Sequence, residues 1–180
     1  MTERRIDWIA KHAANQPDKI CLVELASGVR LSYRQLDRRI AQLEHQLSAL
    51  GIKAGDRVAA LTSISGKTLA IQYAAWRLGA VFVPVNNRLA ADELAYIFND
   101  ACPTVVFVDR QFLALISVIE SRVQVPHWIT CDGGLDADEQ PPSDAEPLAA
   151  AADIPANLAA QIIYSSGTTG RPKGVVHSHK

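Results

Sequence analysis

The chain has 180 residues, 48% of them hydrophobic and 21% charged, with a formal net charge of -1. Those values fit a globular domain or slightly more, able to hide roughly 70% of its unfolded surface. Overall charge gives no reason to expect nucleic acid or an anionic membrane as a partner. No apolar run is long enough for a signal peptide or a membrane span, so a cytoplasmic protein is expected.

In chain order, residues 6–14 read as a short helix and 20–25 as a strand, followed by a turn at "SGVR". Ser32 then opens a long helix with Gln35 placed to complete a capping box. Leu36, Ile40, Leu43, Leu47 and Leu50 recur at steps of four and three, giving it one apolar face, and Gly51 suits the stop. Strands are predicted at 57–61, 80–85 and 104–109, with a further short one within 125–132. Helices are predicted between them at 67–78, 91–100 and 111–121. The strands are apolar almost throughout, as in a parallel sheet covered on both faces. The expected fold is therefore α/β, a doubly wound, mostly parallel sheet with helices on both sides.

Residues 133–157 break that rhythm with Pro, Gly, Asp and Ala. Seven of the 19 acidic residues fall within 132–153, where there is no Lys or Arg. This segment reads as a solvated surface connection, with an acidic docking patch as the alternative. The expected organisation is an α/β unit at 1–132, the connection at 133–157, and a strand-loop-strand at 158–180.

That last unit carries "YSSGTTGRPKG" at 164–174. Ser165, Ser166, Thr168 and Thr169 offer hydroxyls, and Gly167 and Gly170 let backbone N–H groups approach a ligand. Lys173 adds a mobile positive charge, and Pro172 stiffens the exit. Composition alone leaves a flexible hydroxyl-rich hairpin and a phosphate loop open. The strand-forming flanks on both sides favour the phosphate loop. Walker A spacing fails, because Pro172 and Val175 stand five residues after Gly167 and Gly170, where a glycine is required. A second near-match, "LTSISGKT" at 61–68, has Leu61 where its first glycine belongs. It reads as a helix start with an exposed lysine.

"YSSGTTGRPKGVV" resembles the phosphate-binding signature of the adenylate-forming superfamily. "GIKAGDRVAAL" and "WRLGAVFVPVNNRLAADELAYIFNDACPTVVFVD" are similar to the early N-terminal domain of its acyl-CoA synthetases. Gly-Thr-Thr-Gly and "VPVNNRLAADELAYIF" look more like acyl- or aryl-CoA ligases than peptide-synthetase domains. The resemblance implies two half-reactions. A small carboxylic acid attacks the α-phosphate of Mg-ATP, releasing pyrophosphate, and coenzyme A then captures the acyl-adenylate. It implies that Ser165, Ser166, Gly167, Thr168, Thr169, Gly170 and Lys173 line the β- and γ-phosphate site. Lys173 would stabilise phosphate charge, and Thr169 is the candidate for a contact on the Mg²⁺ side.

The family's adenine, ribose and most metal contacts lie further along the chain, as does a C-terminal domain with a carboxylate-activating lysine. The 180 residues alone are therefore expected to be inactive, with that C-terminal portion missing in cis. Residues 133–180 are expected to be more protease-sensitive than 1–132. A non-catalytic remnant or interaction module that keeps the fold is the competing reading. An unrelated P-loop NTPase would need strand-loop-helix at 160–180.

The remaining candidates have plainer explanations. His177 and His179 form an H-x-H pair, read as strand-face packing rather than a metal site. Trp8, Trp76 and Trp128 read as core aromatics, and Asp109 as a helix cap rather than a ligand group. Asn86, Asn87 and Arg88 form a turn that suits the neighbourhood of an acyl site. Cys21, Cys102 and Cys131 contain no CxxC pair and read as buried, reduced thiols.

Overall fold

The computed structural model describes residues 3–25, 27–131, 147–148, 154–165 and 171–180. Strands β1 (Ile20–Val23) and β2 (Arg30–Ser32) form a small antiparallel sheet. The main sheet has six strands: β3 (Arg57–Leu61), β4 (Val81–Pro84), β5 (Val105–Asp109), β6 (His127–Cys131), β7 (Ala159–Ser165) and β8 (Lys173–Ser178). Their order is β6-β5-β3-β4-β7-β8, parallel except for the β7–β8 hairpin. This is the expected doubly wound layer ending in strand-loop-strand. Among the described residues of 158–180, β7 is followed by strand β8 and not by the helix that a P-loop NTPase would need there.

Alternate residues of the central strands face two cores, as strand geometry requires. Val58, Ala60, Phe82, Val105 and Phe107 pack with α2 (Tyr33–Ala49) and α3 (Gly66–Arg77). Ala59, Leu61, Val83, Val106 and Val108 pack with α4 (Ala91–Ala101) and α5 (Leu113–Ile119). The faces alternate because the β3-to-β4 connection runs toward one sheet edge and the next two toward the other. Right-handed crossovers then fall on opposite sides.

Local signals explain most helix ends. The Ser32–Gln35 capping box is present at the start of α2. Gly51 sits at φ 80, with its N–H on Ser48 and that of Ile52 on Leu47. Gly79 ends α3 in the same Schellman geometry. Helix α1 (Trp8–Asn15) starts later than predicted because Asp7 caps it, accepting from the Ala10 N–H. The predicted helix at 111–121 is α5 flanked by two 3-10 turns, Arg110–Phe112 and Glu120–Arg122.

A buried ionic cluster staples three helices. Arg77, 1% exposed at the end of α3, donates to Asp7 at 2.8 Å and to Asp37 of α2. Its third nitrogen lies 3.9 Å from Glu44, which is fully buried. Burial works to raise the Asp7 pKa, but the Arg77 guanidinium brings the net shift downward. At Glu44 burial prevails over Arg77 and the carboxyl is pushed up. Charges buried together in this way are costly to separate.

Candidate functional site

A cleft of about 750 Å³ opens at the carboxyl ends of β3, β4 and β7. Open α/β sheets bind ligands at this end. Thr62, Ser63 and Thr68 form one wall, Asn86, Asn87 and Arg88 another, and Ser165 and Pro172 stand at the rim beside β7.

The β3 wall is held by its own hydrogen bonds. Thr68 Oγ1 donates to the Ser63 carbonyl at 2.8 Å and lies 2.9 Å from Thr62 Oγ1. Ser65 caps α3 by accepting from the Thr68 N–H. Asp109, 2% exposed, accepts from the Ser63 N–H at 2.7 Å. This corrects the helix-cap reading of Asp109: it stands at the N-cap position of the 3-10 turn Arg110–Phe112 but makes no side-chain cap bond there, and its carboxylate instead ties β5 to the loop after β3.

The second near-match is a helix start, as read, and its chemistry argues against phosphate. The Gly66 N–H that an anion would need is taken by the Glu24 carboxylate at 2.7 Å. Lys67 is half-buried rather than exposed.

Asn86 makes the predicted turn, its side-chain oxygen accepting from the Arg88 N–H at 3.0 Å. Asn87 and Arg88 reach the cleft from that turn. A short turn explains the backbone here, and it also places three polar side chains beside an apolar wall that includes Val85, Leu89 and Ile97.

Of the expected phosphate residues, Ser165 ends β7 and Lys173 begins β8, and the two are registered partners. Both are exposed. Ser166, Gly167, Thr168, Thr169 and Gly170 lie outside the described residues. The stems on either side meet α4. Tyr164 donates its hydroxyl to Asp100 at 2.5 Å, and Arg171 lies 5.7 Å from the Tyr96 ring centroid. Burial raises the Tyr164 phenol pKa, and the Asp100 hydrogen bond raises it further.

Sequence reasoning missed Thr62, Ser63, Tyr96 and Asp100. The polar run after an apolar strand was the available signal for the first two. The others, half-buried Tyr96 and exposed Asp100, sit on α4 with no catalytic or binding pattern to mark them.

Other readings change in detail. Trp76 packs on the first core and donates to the Ala160 carbonyl at 2.7 Å, and Trp128 packs on the second. Trp8 is no core residue, being 50% exposed. His179 packs edge-on against Trp76, with centroids 5.6 Å apart. Burial, with Arg5 nearby, lowers its pKa to about 4. His177 is exposed. All three cysteines are free thiols, but only Cys131 is buried, and Cys102 is exposed at φ 47. Among the described residues, no group of three His, Cys, Asp or Glu could hold a metal. No helix among them is long and apolar enough to cross a membrane.

An open α/β layer with a strand-end cleft and a hydroxyl- and lysine-bearing hairpin at its rim defines a class of protein rather than one activity. The family is shown by comparison: the AMP-binding enzyme model matches residues 9–180, and the chain belongs to that family. The chain is 38% identical to the long-chain-fatty-acid–CoA ligase FadD13 of Mycobacterium tuberculosis, over 98% of this chain and 35% of that protein. It superposes on the inhibitor-bound N-terminal domain of FACL13 from Mycobacterium tuberculosis with a TM-score of 0.83 and 34% identity, covering 98% of this chain and 45% of that one. ATP-bound MatB from Rhodopseudomonas palustris matches with a TM-score of 0.75 and 33% identity, over 95% and 34% of the two chains. The chain thus spans about a third of the curated relative's length.

Proposed function

We propose that this chain supplies the phosphate-binding part of an ATP-dependent carboxylate–CoA ligase. The observation that carries the reading is Ser165 at the rim of the strand-end cleft, in register with Lys173 on the next strand. A hydroxyl and an ammonium on facing strands bring a donor and a cation to one edge of a site. The intervening glycines and hydroxyls supply the further donors a polyphosphate needs. The ATP-bound neighbour supports a nucleotide in this fold. The ligase named among the relatives supports a carboxylic acid and coenzyme A as the other substrates.

In this reading Ser165, Ser166, Gly167, Thr168, Thr169, Gly170 and Lys173 hold the β- and γ-phosphates. Lys173 counters the negative charge that grows as pyrophosphate leaves. Mg²⁺ in such sites rests on one or two carboxylates and the substrate phosphates. Glu93, a carboxylate lining the cleft, is already engaged, accepting from the Ala90 N–H at 2.9 Å. The residues therefore fit ATP better than a metal by itself, and Mg²⁺ would come with the nucleotide, with Thr169 as its contact. The polar turn at Asn86–Arg88 and the apolar wall beside it suit the acyl side of the cleft.

The unit at 158–180 would open a second part of the site, joined to the α/β unit 1–132 by the connection 133–157. The 180 residues alone would then lack adenine and ribose contacts and remain inactive. ATP–pyrophosphate exchange with a panel of carboxylic acids tests this. A longer protein carrying this sequence should exchange, and Lys173→Ala should slow it about a hundredfold, the size of one lost transition-state donor. Exchange by the 180-residue chain, or full activity in Lys173→Ala, would contradict the proposal.

A further inference from the structure

We propose that Tyr96 and Asp100 of α4 form a two-point clamp that positions the β7–β8 hairpin and, through it, the phosphate motif. This rests on the motif's assignment above. The two residues are four apart, one turn of the same helix, and so share a face. Asp100 accepts from Tyr164, the residue entering the motif, and Tyr96 lies under the Arg171 guanidinium as the chain leaves it. One helix face therefore grips each stem once.

The helix is a firm base for this. Leu94, Ala95, Ile97 and Phe98 are buried in the second core. The carbonyls that end α4, those of Ala101 and its C-cap Cys102, accept from the Arg57 guanidinium at 2.8 and 2.7 Å. The hairpin needs such a base. Its foot is held by α3, through the Trp76 bond to Ala160 and a 3.2 Å bond between Gln72 and Gln161. Toward the motif, β8 is exposed along its whole length.

Tyr164 also transmits the grip across the hairpin. A Cβ on Gly174 would lie 3.1 Å from its ring and 2.8 Å from Ile162 Cγ2. The β8 backbone at Gly174 thus runs so close to the ring whose hydroxyl Asp100 holds that no side chain fits between them. Tyr96 and Asp100 act through Tyr164 and Arg171, so both are positioning residues.

Trypsin cleavage after Lys173 reads hairpin opening in the 180-residue chain, and urea unfolding reads the whole fold. Asp100→Ala and Tyr164→Phe should each speed cleavage about tenfold, as for one hydrogen bond to a charged acceptor. The double variant should match the single ones, since both remove one contact. Asp100→Asn keeps an acceptor oxygen and should recover most of the protection. Tyr96→Ala should speed cleavage about threefold, and Tyr96→Phe, which keeps a ring, should leave it unchanged. Inorganic pyrophosphate should slow cleavage of the wild type, and Asp100→Ala should need more of it to reach the same cleavage rate, because binding must offset the raised open fraction. Unchanged cleavage in Asp100→Ala and Tyr164→Phe, additive effects in the double variant, or urea midpoints that fall in step with cleavage would overturn the clamp. Pyrophosphate that fails to protect the wild type, with the cleavage pattern as expected, would overturn the phosphate assignment and leave the clamp standing.

Discussion

Strands β3 and β5 and the β7–β8 hairpin belong to one sheet but meet solvent in opposite ways. Every residue of β5 is buried, and so is β3 beyond Arg57, with helices on both faces. In β8 all six residues are exposed, and Val175 and Val176 are 49% and 61% open to solvent. Interior strands gain their stability from apolar burial on two sides. The hairpin depends on the pairing of β7 with β4, partial packing of Ile162 and Tyr164 on the second core, a few directed contacts to α3 and α4, and its own ladder. Segments with few buried contacts open locally at lower cost than the fold as a whole. The motif read as phosphate-binding is thus carried by the part of the sheet with the least hydrophobic anchoring, where single polar contacts carry more of the positioning.

The sharpest test of this contrast lies behind the interior strands. Arg77→Ala would leave Asp7, Asp37 and Glu44 without their shared cation. It should cost about 3–5 kcal/mol, read as a large fall in the urea midpoint. A near-neutral result would mean that the cluster does not staple the helices.

Gly174→Ala probes the hairpin. The new Cβ would need Ile162 or Tyr164 to shift, at about 1–3 kcal/mol. Amide hydrogen exchange should accelerate in β8 and stay slow in β5. Equal acceleration in both would show that the hairpin opens only with the whole sheet.

The smallest expected effect is at His179. Its folded pKa of about 4 lies below the ordinary value of 6.5. The neutral ring therefore stabilises the native state fully above about pH 6.5, and that contribution fades as pH falls toward 4, because the unfolded chain binds the proton first. The loss should be on the order of 1 kcal/mol, given how far solvent reaches the ring. His179→Gln should flatten that part of the urea-midpoint profile, whereas an unchanged slope would assign the pH dependence to other groups.

Much of the fold was legible because its signals are local. The Ser32–Gln35 box, the glycines at 51 and 79, and the apolar runs of β3 to β5 act over a few residues. The motif at 164–174 was legible for the same reason, since its spacing both matches a family signature and excludes a Walker loop. The helix at 111–121 was placed correctly, but its 3-10 ends were not, because hydrophobic periodicity does not mark where i+4 bonding gives way to i+3.

What the sequence could not determine depends on residues far apart in the chain. Asp109 reads as a cap from its neighbours, yet in the fold it holds Ser63, 46 positions away. Trp8 has the composition of a core residue, but it ends on an exposed helix face. Arg77 meets Asp7 and Asp37, 70 and 40 positions away, only once α1, α2 and α3 pack together. The contacts of Tyr96 and Asp100 with the hairpin likewise depend on how α4 lies beside β7. The sequence by itself determined most of the secondary structure, the two-sided sheet and the family motif, since periodicity, capping and turn chemistry are properties of short stretches. Tertiary structure alone decided which charges are shared, which aromatics are buried and what holds the motif in place, because each is an energy of proximity that exists only after the chain has closed on itself.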